Sequence, residues 1–279
     1  LNEAINSYEK AIAIDPNFAE AYFNMGNVYK KLNQREKALS FFENAGLINP
    51  NLDFILGDVL TARMQFCFWE DYANLLNDIQ SKILDNQKVI DPFNLLGIID
   101  RPDLQKKAAQ IFSKYNYPKK YSIDKIIPYS NHAKIRIGYF SADFHNHATM
   151  HLMAELFECH DKFCFELIAF SFGPEKVDLW RERAFKSFDK FIDVRLKNDN
   201  EISLMARKLE IDIAIDLKGF TRDCRPNIFA EGCAPIQVSY LGYPGTMGAE
   251  YIHYLIADQI LIPEIKQHHY SEKIVYMPN

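Results

Sequence analysis

The sequence predicts a two-part α + α/β protein: helical repeats in front of a mostly parallel, doubly wound sheet. Three observations carry that prediction. Small and aromatic residues near the start recur 34 residues on. From Lys134 onward, short β-branched and aromatic runs alternate with helical stretches, the grammar of βαβ units. Polar loops rich in histidine, cation or glycine come after three of those runs. With 279 residues, 48% of them hydrophobic and 25% charged, the chain is no disordered polymer and has length for about two domains. No run approaches the roughly 18 apolar residues of a membrane span, and the polar amphipathic start is not a signal peptide. Lys and Arg number 32 against 37 Asp and Glu, a net charge of −5, so the dense cation that nucleic acid demands is missing. Neither nucleic acid nor membrane is an expected partner. Five cysteines read as reduced thiols of a cytoplasmic protein, with Cys159, Cys164, Cys224 and Cys233, which lack CxxC spacing, structural in role.

The repeats come first. Ala4, Tyr8, Ala11 and Pro16 return as Ala38, Phe42, Ala45 and Pro50, and Tyr22, Met25, Gly26 and Tyr29 mark the intervening helix. This is the tetratricopeptide pattern: small residues where two helices approach closely, aromatics in the gaps between them, and a proline after each second helix. Residues 1–51 are read as such repeats, either a groove for protein partners or a spacer. Residues 52–133 are read as diverged helical pairs (59–68, 72–84 and 104–115, with breaks at Pro92 and Pro102) and a linker over 117–132. Leu1 opens inside a helical pattern, and residues 277–279 come after an apolar run with no closing element. The sequence therefore reads as part of a longer chain.

Residues 134–279 are read as one sheet domain. Strands are expected at 135–140, 165–172, 191–194, 211–217, 236–241, 251–257 and 273–276, with helices at 149–159, 177–186, 201–210 and 227–231. In such sheets ligands bind beyond the carboxyl ends of the strands, and three loops there carry chemistry. The first, Ser141–Thr149, sets Asp143, His145, Asn146, His147 and Thr149 at the start of a helix. Helix N-termini favour anions and disfavour imidazolium, which leaves a histidine neutral, as base or donor. His145, His147 and His151 also have a spacing that one metal ion could share, the pattern of a metallohydrolase. The second loop, Lys218–Pro226, carries Lys218, Arg222 and Arg225 beside Gly219, suited to a polyanionic ligand. The third, Leu241–Thr246, has Gly242 and Gly245 around Pro244, where backbone can approach a ligand and offer amides to phosphate or sugar oxygens. His268 and His269 fall in an expected surface loop without assigned role.

These loops, in this order and behind such repeats, resemble the O-linked N-acetylglucosamine transferase family, its bacterial branch especially. The resemblance rests on IRIGYFSADFHNHATMHLM (135–153), DLKGFTRDCRP (216–226), APIQVSYLGYPGTMGA (234–249), IADQ (256–259) and HYSEKIVYMP (269–278). It implies the first of two Rossmann-like lobes of a GT-B glycosyltransferase. The donor is then UDP-N-acetylglucosamine, the acceptor a Ser or Thr hydroxyl of a protein, and the anomeric centre is inverted without metal or cofactor. By motif, Asp143, Asn146, His147 and Thr149 surround the acceptor hydroxyl and donor, with His147 the first choice as base or donor-orienting group and Asp143 the second. Leu241, Gly242, Pro244 and Thr246 line the sugar site, and Lys218, Phe220 and Arg222 face the cleft.

Departures from the family pattern are His145 for Gly, Phe220 for Tyr, Gly232-Cys233 for Arg-Pro, and no histidine within 92–115. The basic second lobe that grips the diphosphate is absent from these 279 residues, which alone are expected to be inactive. A repeat scaffold with a catalytically dead Rossmann-like domain is the rival reading, and a sugar-nucleotide epimerase a third.

Overall fold

A computed structural model describes residues 1–120, 128–129 and 132–278. Most of the expected linker at 117–132, Asn131 included, and the final Asn279 lie outside the described residues. The chain packs as two compact units, Leu1–Ile111 and Phe112–Asn279.

The first unit is all helix: α1 (Asn2–Ile14), α2 (Ala19–Lys31), α3 (Arg35–Ile48), α4 (Ile55–Gln65), α5 (Tyr72–Leu84), α6 (Pro92–Leu96) and the first part of α7 (Pro102–Asn116). The 34-residue period has a steric cause. A Cβ on Gly26 of α2 would lie 2.5 Å from the Phe42 ring of α3, so small and large residues must alternate across that contact. Met25, Tyr29, Ala38, Leu39, Phe42 and Ala45 form its core with Ile55 and Val59 of α4. Beyond α4 the period fades because an extended segment takes a helix's place. Lys88 O accepts from Phe54 N–H at 2.8 Å, and Val89 O from Gly57 N–H at 3.0 Å. A second core gathers there around Leu60, Ile79, Ile83, Ile90 and Leu95. Pro92 and Pro102, expected as breaks, are the first residues of α6 and α7. Proline lacks only the N–H that a first-turn residue leaves unbonded, and the Asp91 carboxylate caps α6 through Phe93 N–H at 2.7 Å.

The second unit is a seven-stranded parallel sheet: β1 (Ile135–Ser141), β2 (Phe165–Ser171), β3 (Lys190–Asp193), β4 (Ile213–Asp216), β5 (Ile236–Tyr240), β6 (Tyr254–Ala257) and β7 (Lys273–Tyr276). The order is β3-β2-β1-β4-β5-β6-β7, that of a doubly wound sheet whose winding reverses between β1 and β4. Ile137, Tyr139, Leu167, Ile215 and Val238 face α8 (Ala148–Cys159) and α9 (Leu179–Ser187) across one core. On the opposite face Phe140 stacks on Phe170 at 4.3 Å and meets Phe229 of α11 (Asn227–Ala230).

Local chemistry moved several expected boundaries. Helix α10 (Asp199–Lys208) starts two residues early because Asn198 and Glu201 form a capping box. Helix α9 starts late because Asp178 caps it through Arg181 N–H. Strand β6 begins only at Tyr254, since Tyr251 O is taken by Gln237 Nε2 in a buried turn. His268 and His269 end a 3₁₀ helix, Glu264–His269, where a loop was expected.

Candidate active site

Because β1, β4 and β5 are neighbours, the loops that leave their carboxyl ends meet. Gly242 lies so close to the second loop that a Cβ would sit 2.1 Å from Leu217 O. Gly219, at φ +55°, leaves room for Tyr243, whose Cβ would be 2.3 Å from an added Cβ. Gly219 and Gly242 thus let the second and third loops pack on each other, and Gly245 clears the Tyr243 ring of its own loop. Leu241 holds φ +67°, a strained conformation for a bulky side chain. The first and second loops are tied by Lys218 Nζ, which donates to Asp143 Oδ2 at 2.5 Å, both side chains buried.

That pairing changes the expected roles. Asp143 is ion-paired with Lys218 inside the fold. Lys218 is 4% exposed and is committed to Asp143. Of the other cations of the second loop, Arg225 is held by Asp199 at 2.6 Å and by Lys197 O. Arg222 stands in solvent, 3.8 Å from Asp223. Phe220 is buried among Phe112, Tyr117 and Tyr243, so the hydroxyl it lacks leaves no gap at the rim. Thr246 is buried too, its hydroxyl spent on Glu272 at 2.7 Å. Leu241 and Gly242 are half-buried and Pro244 is exposed at the turn.

His147 is the N-cap of α8. Its Nδ1 accepts from Thr149 N–H at 3.2 Å and lies 3.1 Å from Thr149 Oγ1. In the neutral ring the proton therefore sits on Nε2, and the open edge is a donor, not a lone pair. Burial, with Lys218, His145 and Lys176 nearby, holds its pKa below the usual histidine range, against the pull of Asp143 at 3.6 Å. The neutral form expected at a helix start is thus favoured. Asn146 is exposed; its backbone N–H donates to Asp178 at 3.0 Å, and His151 Nε2 donates to its Oδ1 at 2.8 Å. His151 stacks on Trp180 at 4.3 Å, while His145 is buried with Nδ1 near Asn146 O. Among the described residues no group of three His, Cys, Asp or Glu side chains could hold a metal ion.

Two carboxyls that sequence reasoning misses lie beneath these loops. Asp216, at the end of β4, accepts from Lys218 N–H at 2.8 Å, and burial pushes its pKa up to about 6. Glu272 lies under the third loop. A polar residue ending an apolar strand was the signal for the first; nothing local marks the second. Cys233 is buried with its thiol on Gln237 Oε1 at 3.2 Å, whereas Cys159 and Cys164, read as structural, are exposed. No helix among the described residues is long and apolar enough to cross a membrane.

Known proteins match this arrangement. The sequence profile of glycosyl transferase family 41 matches residues 103–279, and tetratricopeptide repeat profiles match 1–33 and 19–52. A probable UDP-N-acetylglucosamine–peptide N-acetylglucosaminyltransferase of Arabidopsis thaliana is 34% identical over 229 residues, 76% of this chain and 23% of its own length. A Caenorhabditis elegans protein named as such a transferase is 33% identical over 150 residues, 53% of this chain and 13% of its own. A solved mutant of Thermobaculum terrenum O-GlcNAc transferase superposes with a TM-score of 0.68 at 21% identity, over 98% of this chain and 53% of that one. The chain thus spans a quarter or less of these curated relatives, and about half of the solved one.

Proposed function

Because the chain belongs to glycosyl transferase family 41, we propose that it carries one lobe of an inverting protein glycosyltransferase, which moves N-acetylglucosamine from UDP-N-acetylglucosamine to Ser or Thr hydroxyls of proteins. One observation carries the reading: three polar loops converge where the sheet reverses its winding, tied by Lys218 and Asp143. Such a crevice is where doubly wound sheets take nucleotides.

In the transfer, the acceptor oxygen bonds to the anomeric carbon while the carbon–oxygen bond to the diphosphate breaks and its electron pair leaves with UDP. His147 offers Nε2–H to a substrate oxygen, and the acceptor proton passes to the departing diphosphate. Asp143 acts through Lys218, which it holds beside the crevice. Leu241, Gly242 and Pro244 form the wall for the sugar. The reading requires no metal and no cofactor. The repeats are protein-interaction elements, and we assign them the presentation of protein acceptors.

The departures that favoured a catalytically dead scaffold are absorbed by packing, since Phe220 and Cys233 are both buried. Incubating the full-length protein with radiolabelled UDP-N-acetylglucosamine and total cell protein tests the reading. Label released from protein by β-elimination is the expected result. Binding of cell proteins without any label transfer refutes it in favour of the scaffold.

A further inference from the structure

The HYSE stretch ahead of β7 has no part in the chemistry above, yet it grips the third loop from the side. Tyr270 Oη donates to Pro244 O at 3.2 Å, and Ser271 N–H to Thr246 Oγ1 at 3.1 Å. Glu272 takes the Thr246 hydroxyl on Oε2 and Met247 N–H on Oε1, each at 2.7 Å. Gly248 N–H also donates to Thr246 Oγ1, at 3.1 Å, so that oxygen uses its one proton and both lone pairs.

The Glu272 carboxylate is 5% exposed and makes no ion pair among the described residues. A buried charge without a counter-ion is costly, and burial raises its pKa accordingly. A neutral amide would not serve the same geometry. Two donors converge on two oxygens, and a glutamine would turn an NH₂ toward one of them and orphan it. The turn so held begins at the strained Leu241, a conformation that persists only where its surroundings enforce it.

We propose that Glu272 is a positioning residue for the Leu241–Met247 turn, holding it in the shape that receives the sugar nucleotide. The proposal rests on the transferase reading for what the turn receives, but not for the clamp itself. In the full-length protein, Glu272→Gln is expected to raise the donor KM about tenfold, the loss of one buried hydrogen bond, with kcat changed less than threefold. The amides of residues 243–248 should exchange faster with deuterium, while the melting temperature changes little because the orphaned donor offsets the buried charge removed. Unchanged donor KM and unchanged exchange in the turn overturn the proposal. So does a lowered melting temperature with KM and kcat unaffected, the mark of a merely structural role. Should Glu272→Gln fail to fold, Tyr270→Phe removes the rim bond to Pro244. A donor KM raised about two- to threefold then supports the clamp, and a wild-type KM refutes it. If the wild type transfers no sugar at all, the transferase reading fails, and the exchange of residues 243–248 in Glu272→Gln still decides the clamp.

Discussion

His147 caps α8 through Nδ1, and the proposed reaction uses its other ring nitrogen, so two substitutions separate the two duties. Asparagine is as good an N-cap as proteins use. His147→Asn in the full-length protein should therefore keep the wild-type melting temperature while sugar transfer falls about 100-fold or more, the usual range for a positioned proton-handling group. His147→Ala should lose the same activity and about 1 kcal/mol of stability besides; near-normal transfer by His147→Asn would remove the ring from the reaction. The Lys218–Asp143 pair yields to a urea-unfolding cycle. Lys218→Met strands a buried carboxylate and should cost about 3–5 kcal/mol, whereas adding Asp143→Asn should recover much of it, giving non-additivity of about 1 kcal/mol or more. Asp216 makes a pH prediction. Its folded pKa of about 6 lies above the ordinary 3.8, so the native state binds the extra proton. The stability tied to it is intact below about pH 4 and is lost as the pH rises through 6. Asp216→Asn keeps an acceptor for Lys218 N–H, so unfolding curves should show it overtaking the wild type between pH 4 and 6, by on the order of 1–3 kcal/mol at pH 8. That the rim carries Asp143, Asn146 and His147 was legible, because polar residues crowd behind an apolar strand. Their pairing was not. Lys218 stands 75 residues from Asp143 and Glu272 stands 26 from Thr246, and no local period marks either contact.

Elements were legible wherever a contact repeats along the chain. The Gly26–Phe42 packing imposes a 34-residue spacing, and alternating strand and helix impose the sheet. Legibility faded where the same residue type serves two ends of a helix. Pro92 and Pro102 could each stop a preceding helix as firmly as start a new one, and for Pro92 it is the Asp91 carboxylate on Phe93 N–H, two residues away, that marks a start. The glycines of the first unit make this scale testable. Gly26→Ala brings a methyl to 2.5 Å from a ring, while Gly57→Ala brings one to 2.7 Å from the backbone Cα of Ile90. Each overpacking should cost about 1–3 kcal/mol. Their rescue should differ. Phe42→Leu makes room for the new methyl of Gly26→Ala and should return part of the loss in thermal denaturation. Ile90→Val cannot move the backbone over α4, so combined with Gly57→Ala it should return little. Equal rescue at both sites would mean that the segment at 88–90 is not held by the bonds from Phe54 and Gly57.

The whole molecule places its repeats and its sheet in separate compact units, and only the second contains the reversal of winding on which the transferase reading depends. A ligand bound at that reversal touches loops that are about 20 to 100 residues apart in sequence but adjacent in the sheet. Its footprint in amide exchange should therefore be discontinuous along the chain. Saturating UDP-N-acetylglucosamine, at about one hundred times its Kd, should stabilise the full-length protein by about 2.7 kcal/mol. Protection should rise in residues 141–149, 218–226 and 241–248 together. The loop after β3 should not change, because β2 separates that strand from the switch point. Helices α1 to α5 should not change either, since all three loops belong to the second unit. Protection confined to one of the three loops, or spread into the repeats instead, would show that the nucleotide sits somewhere other than the crevice formed by β1, β4 and β5.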